Sequence, residues 1–304
     1  MNAPSFSDSR QFFVRGVSRS GGTLMATILD AHPDISMSYE TYEHLLAGLA
    51  GQNGPKVWKM RMPRRKSAAT LLGVKRQGLS QSDPDLAKFF ARARRAGIYE
   101  DKLFQLLEDH FARGLGFDNF KDRMLFVESL SREKMRTEGK QHWGAKILSV
   151  YDELEEIYVC PHYVFMLRDG RDIVASRKNV GKFDQTVEHV AKSWRQQVEK
   201  FEDLIVRLNG RAVFVHYETL ASEPESALRT LMNQLGLRLD NNLLSSHSMD
   251  LTIHRNSMGH LSGTQVRAPL SQNSIGRWKS DLTPEEVSRF EAVAGGTLEK
   301  FGYL

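Results

Sequence analysis

The stretch Phe13-Val-Arg-Gly-Val-Ser-Arg-Ser-Gly-Gly-Thr-Leu-Met25 decides the fold of this 304-residue chain. An apolar, β-prone run from Gln11 to Val17 leads into a glycine-rich turn, and Thr23 to Ala31 reads as a helix closed by His32-Pro33. A strand, a turn and a helix in that order aim free backbone N–H groups and the positive end of the helix at an anion. Gly16, four intervening residues, then Gly21, Gly22 and Thr23 have the spacing of a nucleotide-triphosphate P-loop. Gly22 stands where that loop needs lysine. The nearest cation in the sequence is Arg19, whose fork of donors suits a phosphate or sulfate oxygen. The reading turns away from ATP or GTP and toward another phosphate-bearing ligand. A tight strand-to-helix turn with no ligand is the alternative.

Outward from this loop, three more strand-then-helix units follow. Trp143 to Ile147 runs into a helix around Tyr151 to Tyr158, and Tyr163 to Leu167 is a continuous apolar run followed by a helix from about Asp172. Ala212 to His216 turns at Tyr217-Glu218 into a helix over Pro224 to Leu235 that Gly236 can terminate. Strands alternating with helices predict an α/β fold, a P-loop-like domain with a central parallel sheet flanked by helices. Between about 44 and 141 the pattern becomes helical, as at Asp85 to Arg95 and Glu100 to Phe111, which reads as a helical insertion. No Pro-, Gly- or Ser-rich linker divides the chain, so residues 1–304 are expected to form a single domain. The last helix carries its own start signals: Thr283 as N-cap, Pro284 at the first helical position, Glu286 completing a capping box, and Gly302 beyond the end.

At 40% hydrophobic and 26% charged residues, the composition is that of a soluble globular protein. The single cysteine, Cys160, excludes an intramolecular disulfide framework and a multi-cysteine metal site; it fits a reducing, cytoplasmic setting and is expected to pack as a small apolar residue. Met1 to Arg10 has no apolar core and no run of about 18 apolar residues occurs, so neither a secretion signal nor a membrane span is expected. The net charge of +5 is unevenly spread: between Glu43 and Asp83 there is no acid, while eight Lys and Arg residues accumulate from Lys56 to Arg76. Such a stretch could attract an anionic acceptor or a membrane surface, or be a solvated insertion. With Trp58 its one tryptophan, it offers no base-stacking platform, which makes nucleic acid an unlikely partner.

A second anion site is indicated at Leu167-Arg168-Asp169-Gly170-Arg171-Asp172-Ile173-Val174-Ala175-Ser176. Arg168 would emerge at the carboxyl end of a buried strand, where ligands bind in open α/β sheets, and Ser176 would face back from the following helix. The alternative is a surface turn held by Asp169–Arg171 pairing. Taken with Arg19-Ser20-Gly21-Gly22-Thr23-Leu24, the segment resembles the sulfotransferases that use 3′-phosphoadenosine 5′-phosphosulfate (PAPS): the first motif is similar to their 5′-phosphosulfate loop, the second to their 3′-phosphate motif. The tyrosylprotein and bacterial branch is most similar, through Thr23-Leu-Met-Ala-Thr-Ile-Leu-Asp-Ala-His-Pro-Asp34 with Glu40-Thr41, His216-Tyr217-Glu218-Thr-Leu220 and Ser274-Ile-Gly-Arg-Trp-Lys279.

The resemblance implies that Arg19 and the backbone of Ser20, Gly21, Gly22 and Thr23 hold the phosphosulfate of PAPS. It implies that Arg168 and Ser176 hold the 3′-phosphate, that Tyr217 lines the nucleotide, and that Ser274, Gly276 and Arg277 close over it from the C-terminal segment. Glu40 falls where that branch has its general base; Lys146 and Ser262 match its sulfuryl-contacting lysine and serine. His32, His44 and His142 are reserve bases. No metal is implied. The acceptor would be a hydroxyl or amine on a small molecule, glycan, lipid or peptide, with anionic acceptors among the options. Gly22 and Leu24 depart from the family pattern, the first by losing a loop hydroxyl and the second by replacing a tryptophan that stacks on adenine. Two other classes stay open: a P-loop kinase or nucleotide triphosphatase, for which Asp169 is the one poor Walker-B candidate, and a non-catalytic anion- or membrane-binding protein.

Overall fold

A computed structural model describes residues 9–38, 43–47, 84–148, 152–181, 185–255 and 263–304. Glu40, Ser262 and the basic stretch from Lys56 to Arg76 lie outside the described residues. The elements in chain order are β1 (Gln11–Gly16), α1 (Gly22–Asp30), β2 (Ile35–Ser38), α2 (Glu43–Ala47), α3 (Pro84–Arg95), α4 (Glu100–Ala112) and α5 (Phe120–Thr137). They continue with β3 (His142–Lys146), α6 (Glu153–Ile157), β4 (His162–Leu167), α7 (Gly170–Asn179), α8 (Val187–Leu208), β5 (Ala212–His216), α9 (Tyr217–Ser222) and α10 (Pro224–Gln234). Single turns α11 (Thr252–Arg255) and α12 (Trp278–Asp281) precede the terminal α13 (Pro284–Lys300).

The strands form one parallel sheet in the order β2-β3-β1-β4-β5, so the strand bearing the glycine-rich loop is central. Side chains alternate between its faces. Phe13, Trp143, Tyr163 and Phe165 pack on one side with Phe126 and Leu130 of α5 and Phe201 and Leu204 of α8. Phe12, Val14, Val164 and Met166 pack on the other with Met25, Ile28 and Leu29 of α1 and Leu228, Leu231 and Met232 of α10. Covered on both faces, the inner strands read as continuous apolar runs. The second half of the insertion is therefore part of the main core, because α5 supplies part of the cover of one face.

The sequence reading missed β2, and the reason is local. Ile35-Ser-Met-Ser38 is short and half polar, yet all four residues are buried. Ser36 donates to Glu138 (2.6 Å) and Ser38 pairs with Ser131 (3.2 Å), so α5 satisfies the hydroxyls that would otherwise oppose burial. Behind them, Lys134 of α5 reaches Asp30 at the end of α1 at 2.7 Å, and Asp30 also accepts from the Met37 amide at 2.7 Å.

Two other expectations need correction. Cys160 is exposed, with φ of 55°, because the chain must reverse between α6 and β4 there; Tyr158, rather than the cysteine, fills the core. The helix after β4 begins at Gly170 instead of Asp172, since Asp169 caps it by accepting from the Arg171 amide at 2.8 Å. The terminal helix starts as its sequence signals indicate, with Glu286 and Thr283 bonding reciprocally at 2.9 and 3.2 Å. Phe290, Ala294 and Leu298 of α13 pack with Ile173 and Val174 of α7 and Trp194 of α8, which brings residues 274–281 beside α7. Among the described residues, no helix is long and apolar enough to cross a membrane.

Candidate active site

A cavity of about 640 Å³ opens at the carboxyl ends of the central strands, where open α/β sheets bind ligands. Its floor is the glycine-rich loop. A Cβ on Gly16 would collide with Ser20 Oγ and Met166, so the loop leaves β1 in close backbone contact with β4. Arg19 and Gly21 then take left-handed φ values of 80° and 93°, which turn successive amides toward one side. At Gly21 a Cβ would sit 2.9 Å from Tyr217 Cδ2. The first amides of α1, on Gly22, Thr23 and Leu24, have no carbonyl to bond within the helix, and no side chain caps that end. They are positioned to hold an anion.

The position left without a side chain at Gly22 is filled from another strand. Parallel pairing sets Val14 opposite Lys146, and the Lys146 stem passes the loop with its Cε 3.6 Å from where a Cβ on Gly22 would stand. A cation reaches the loop from β3 in place of the missing P-loop lysine. Ser20, predicted to hold the ligand through its backbone, does not line the cavity: its side chain is buried, and its Oγ has no hydrogen-bond partner among the described residues.

At the other end of the cavity, Arg168 follows the last residue of β4 and Ser176 projects from α7. Arg19 Nε donates to Ser176 Oγ at 3.1 Å. Arg168 donates through Nη1 to the Arg19 carbonyl at 3.0 Å and through Nη2 to the Ser274 carbonyl. Its guanidinium lies 4.4 Å from the centre of the Tyr217 ring, which also rests against Gly21. The two predicted anion motifs and the C-terminal segment are thus brought to one place.

The surrounding carboxylates serve as supports. Asp172, fully buried, accepts from the amides of Gly276 (2.8 Å) and Trp278 (3.0 Å) and lies 3.9 Å from Arg168. Burial pushes its carboxyl above the usual aspartate range, although the two amides and Arg168 oppose that. Glu218, likewise raised by burial, accepts from the Asp169 amide at 3.0 Å and the Tyr303 hydroxyl at 3.1 Å. Asp169 pairs with Arg171 at 2.8 Å as the alternative turn reading anticipated, but the pair is buried instead of lying at the surface. Asp169 is not among the residues that line the cavity, which removes the Walker-B candidate.

Several other sequence assignments fall elsewhere. The Gly276 amide is engaged by Asp172, and Arg277 Nε donates to Asp281 at 2.8 Å; neither residue lines the cavity, whereas Ser274 does. His32 is locked by its neighbours, its Nδ1 accepting from the Asp34 amide and its Nε2 donating to the Arg238 carbonyl, both at 3.0 Å. His44 lies 3.3 Å from an Arg92 nitrogen, and His142 accepts from the Arg10 amide at 3.4 Å, its pKa lowered by burial. None of the three lines the cavity. Sequence reasoning missed Arg15, Arg177 and Gln185, which do line it, as does a wall of Gln265, Val266 and the run from Ala268 to Ser271. Arg15 was legible as the charged fifth residue of an otherwise buried strand; the wall, an irregular segment, carried no period to read. Altogether Arg15, Arg19, Lys146, Arg168 and Arg177 face the cavity, and the described lining contains no Asp or Glu. Such a chamber selects for an anion.

Residues 11–241 match the model of the sulfotransferase family. The chain is 22% identical over 303 residues to protein-tyrosine sulfotransferase 1 of Danio rerio, covering 97% of this chain and 73% of that protein. It is 22% identical over 301 residues to protein-tyrosine sulfotransferase A of Caenorhabditis elegans, covering 96% and 66%. The fold is shared with the sulfotransferase domain of the Synechococcus PCC 7002 olefin synthase, at a TM-score of 0.59 and 18% identity over 94% of both chains. The sulfotransferase domain of the curacin biosynthetic pathway superposes at 0.55, with 16% identity over 93% of this chain and 96% of that one. A parallel sheet with an open, lysine-free glycine-rich loop, an arginine and a serine brought to the same edge, and a family match spanning all five strands lead to one identification: the chain belongs to the sulfotransferase family and is a sulfuryl-transferring enzyme.

Proposed function

We propose that this enzyme moves a sulfuryl group from PAPS to a hydroxyl of its acceptor, with the amides of the glycine-rich loop and Lys146 at the phosphosulfate and the Arg168–Ser176 corner at the 3′-phosphate. The observation that carries this reading is the two-ended cationic chamber: orphan amides and a lysine at one end, arginines and a serine at the other, and no carboxylate in the described lining. A nucleoside carrying phosphate groups at two separate positions suits two separate grips better than one continuous triphosphate does.

The chemistry assigns a role to each residue type. The acceptor oxygen attacks sulfur, the bond from sulfur to the phosphate oxygen breaks, and the nucleotide leaves as the bisphosphate PAP. Lys146 and the loop amides stabilise negative charge on the sulfuryl and leaving oxygens; a preorganised donor of this kind is typically worth about 3 kcal/mol. The proton of the acceptor goes to a carboxylate, for which Glu40 is proposed. Relatives named as protein-tyrosine sulfotransferases favour a peptide or small-molecule hydroxyl as acceptor. A reducing compartment such as the cytoplasm, in keeping with one exposed, unpaired cysteine, is proposed for its action.

Calorimetry with PAP, set against ATP with magnesium, tests the donor. Micromolar PAP binding is expected, and binding of ATP alone would sink the reading in favour of a kinase or triphosphatase. In an acceptor screen with labelled sulfate, Glu40→Gln should lower turnover by roughly 10²–10⁴ while sparing PAP affinity.

A further inference from the structure

Arg168 and Tyr217 meet in the cavity, but the groups that hold them in place lie behind it and converge on a residue that does not line it. Resting on the PAPS reading above, we infer that Tyr303 is a positioning residue for the nucleotide: it fixes the main chain behind Arg168 and Tyr217, and through that the aim of the Arg168 guanidinium.

The two residues stand just past their strands. The pairing of β4 with β5 ends at Leu167 opposite His216, so Arg168 and Tyr217 lie one step beyond the last pair. Both line the cavity, with the guanidinium 4.4 Å from the centre of the ring. Arg168 Nε is buried and has no hydrogen-bond partner among the described residues, a donor that a phosphate oxygen in the cavity would satisfy. Because guanidinium donors lie in one fixed plane, a tilt of the main chain misdirects them.

Tyr303 meets three supports of this corner. Asp169, the residue after Arg168, gives its amide to Glu218 Oε1 at 3.0 Å, and Oε2 of the same carboxyl accepts from the Tyr303 hydroxyl at 3.1 Å. Glu218 in turn follows Tyr217, so one carboxyl ties the two strand ends together and Tyr303 holds that carboxyl. The Asp169 carboxylate accepts from Arg171 Nη2 at 2.8 Å, and that nitrogen also donates to the Tyr303 carbonyl at 2.6 Å. Finally, the Arg168 carbonyl accepts from Trp194 Nε1 at 3.0 Å, and the Tyr303 ring packs edge-on to Trp194 with centroids 6.5 Å apart. Burial raises the Tyr303 hydroxyl above the ordinary tyrosine range and Glu218 adds to this, so the hydroxyl keeps the proton it donates. Its amide donates to the Leu298 carbonyl at 2.9 Å, which seats the residue on the end of α13. Hydrogen bonds linked in this way pass a change at one member to the others.

Calorimetry with PAP, well below the unfolding temperature, reads the effect. Tyr303→Phe deletes one oxygen and should weaken PAP by about 3- to 30-fold, the range over which a packed network modulates a distant site. Tyr163→Phe is the control: it removes a hydroxyl bonded to Glu155 at 2.8 Å, away from the cavity, and should change PAP affinity by less than about 2-fold. In an Arg168→Gln background, Tyr303→Phe should add less than about 2-fold, because the tyrosine acts through the arginine. A purely structural tyrosine would lower the unfolding midpoint and leave this coupling at zero. PAP affinity in Tyr303→Phe within about 2-fold of the unmodified protein, an equal loss in Tyr163→Phe, or full additivity with Arg168→Gln would overturn the role of Tyr303 while leaving the PAPS reading intact. Should Tyr303→Phe not fold, Glu218→Gln, whose single oxygen can accept from only one of the two donors, carries the same comparison. Failure of the unmodified protein to bind PAP would overturn the PAPS reading and the role of Tyr303 with it.

Discussion

Gly21 and Gly22 are neighbours in one motif, yet alanine at the two positions should do opposite things. At Gly21 the backbone has φ of 93°, where an L side chain is strained by about 1–2 kcal/mol. Its Cβ would also stand 2.9 Å from Tyr217 Cδ2 and 3.5 Å from Met166 Cε, and overpacking of that kind adds about 1–3 kcal/mol. Together Gly21→Ala should destabilise by roughly 2–5 kcal/mol. The displaced ring carries Arg168, so PAP affinity should fall as well. Gly22 is the first residue of α1, with ordinary helical φ, and its nearest foreign atom would be Lys146 Cε at 3.6 Å, a normal contact. Alanine there restricts the unfolded chain and should stabilise by about 0.4–1 kcal/mol. Urea unfolding at matched m-values would then separate the two variants by roughly 2–6 kcal/mol. Equal midpoints, or Gly22→Ala as the weaker protein, would refute the claim that the loop needs its first glycine for conformation and its second only for space.

Two further outcomes test the surroundings of the site. Lys134→Met leaves Asp30, which is fully buried, without its 2.7 Å partner and should cost about 3–5 kcal/mol, toward the lower end because Lys140 lies 3.7 Å away; a loss below about 1 kcal/mol in urea unfolding would count against a tightly coupled pair. Glu218 tests the linkage. Burial raises its folded pKa above its ordinary value of 4.5, so the folded state holds the proton more tightly than the unfolded one. Stability from this group is therefore greatest below pH 4.5 and declines as pH rises from there through the folded pKa. Asp172 contributes with the same sign, so Glu218→Gln should make the decline shallower without abolishing it. An unchanged slope in unfolding midpoints between about pH 4 and pH 7 would show that burial does not control this carboxyl.

Much of the fold was written locally. The runs Gln11–Val17, Tyr163–Leu167 and Ala212–His216 are apolar because both faces of a central parallel strand are covered, and that property needs no partner to be recognised. The capping box at Thr283 and the glycine-rich turn are equally self-contained, since each is a matter of a few adjacent dihedrals and hydrogen bonds. β2 was hidden because its serines are made compatible with burial by Glu138 and Ser131, about a hundred residues further along the chain.

The sequence by itself determined that the chain has two motifs of anion-binding type at the ends of parallel strands, and that one lacks the lysine of a triphosphate loop. Only the tertiary structure decided which side chains serve which motif. Lys146 reaches the loop because β3 pairs with β1, and Arg168 is held by carbonyls at positions 19 and 274. Dihedral preference and hydrophobic period are short-range properties that sequence order displays. The direction of a long charged side chain is set by whichever acceptor folding brings within about 3 Å, and both acceptors of Arg168 lie more than a hundred residues from it in the chain.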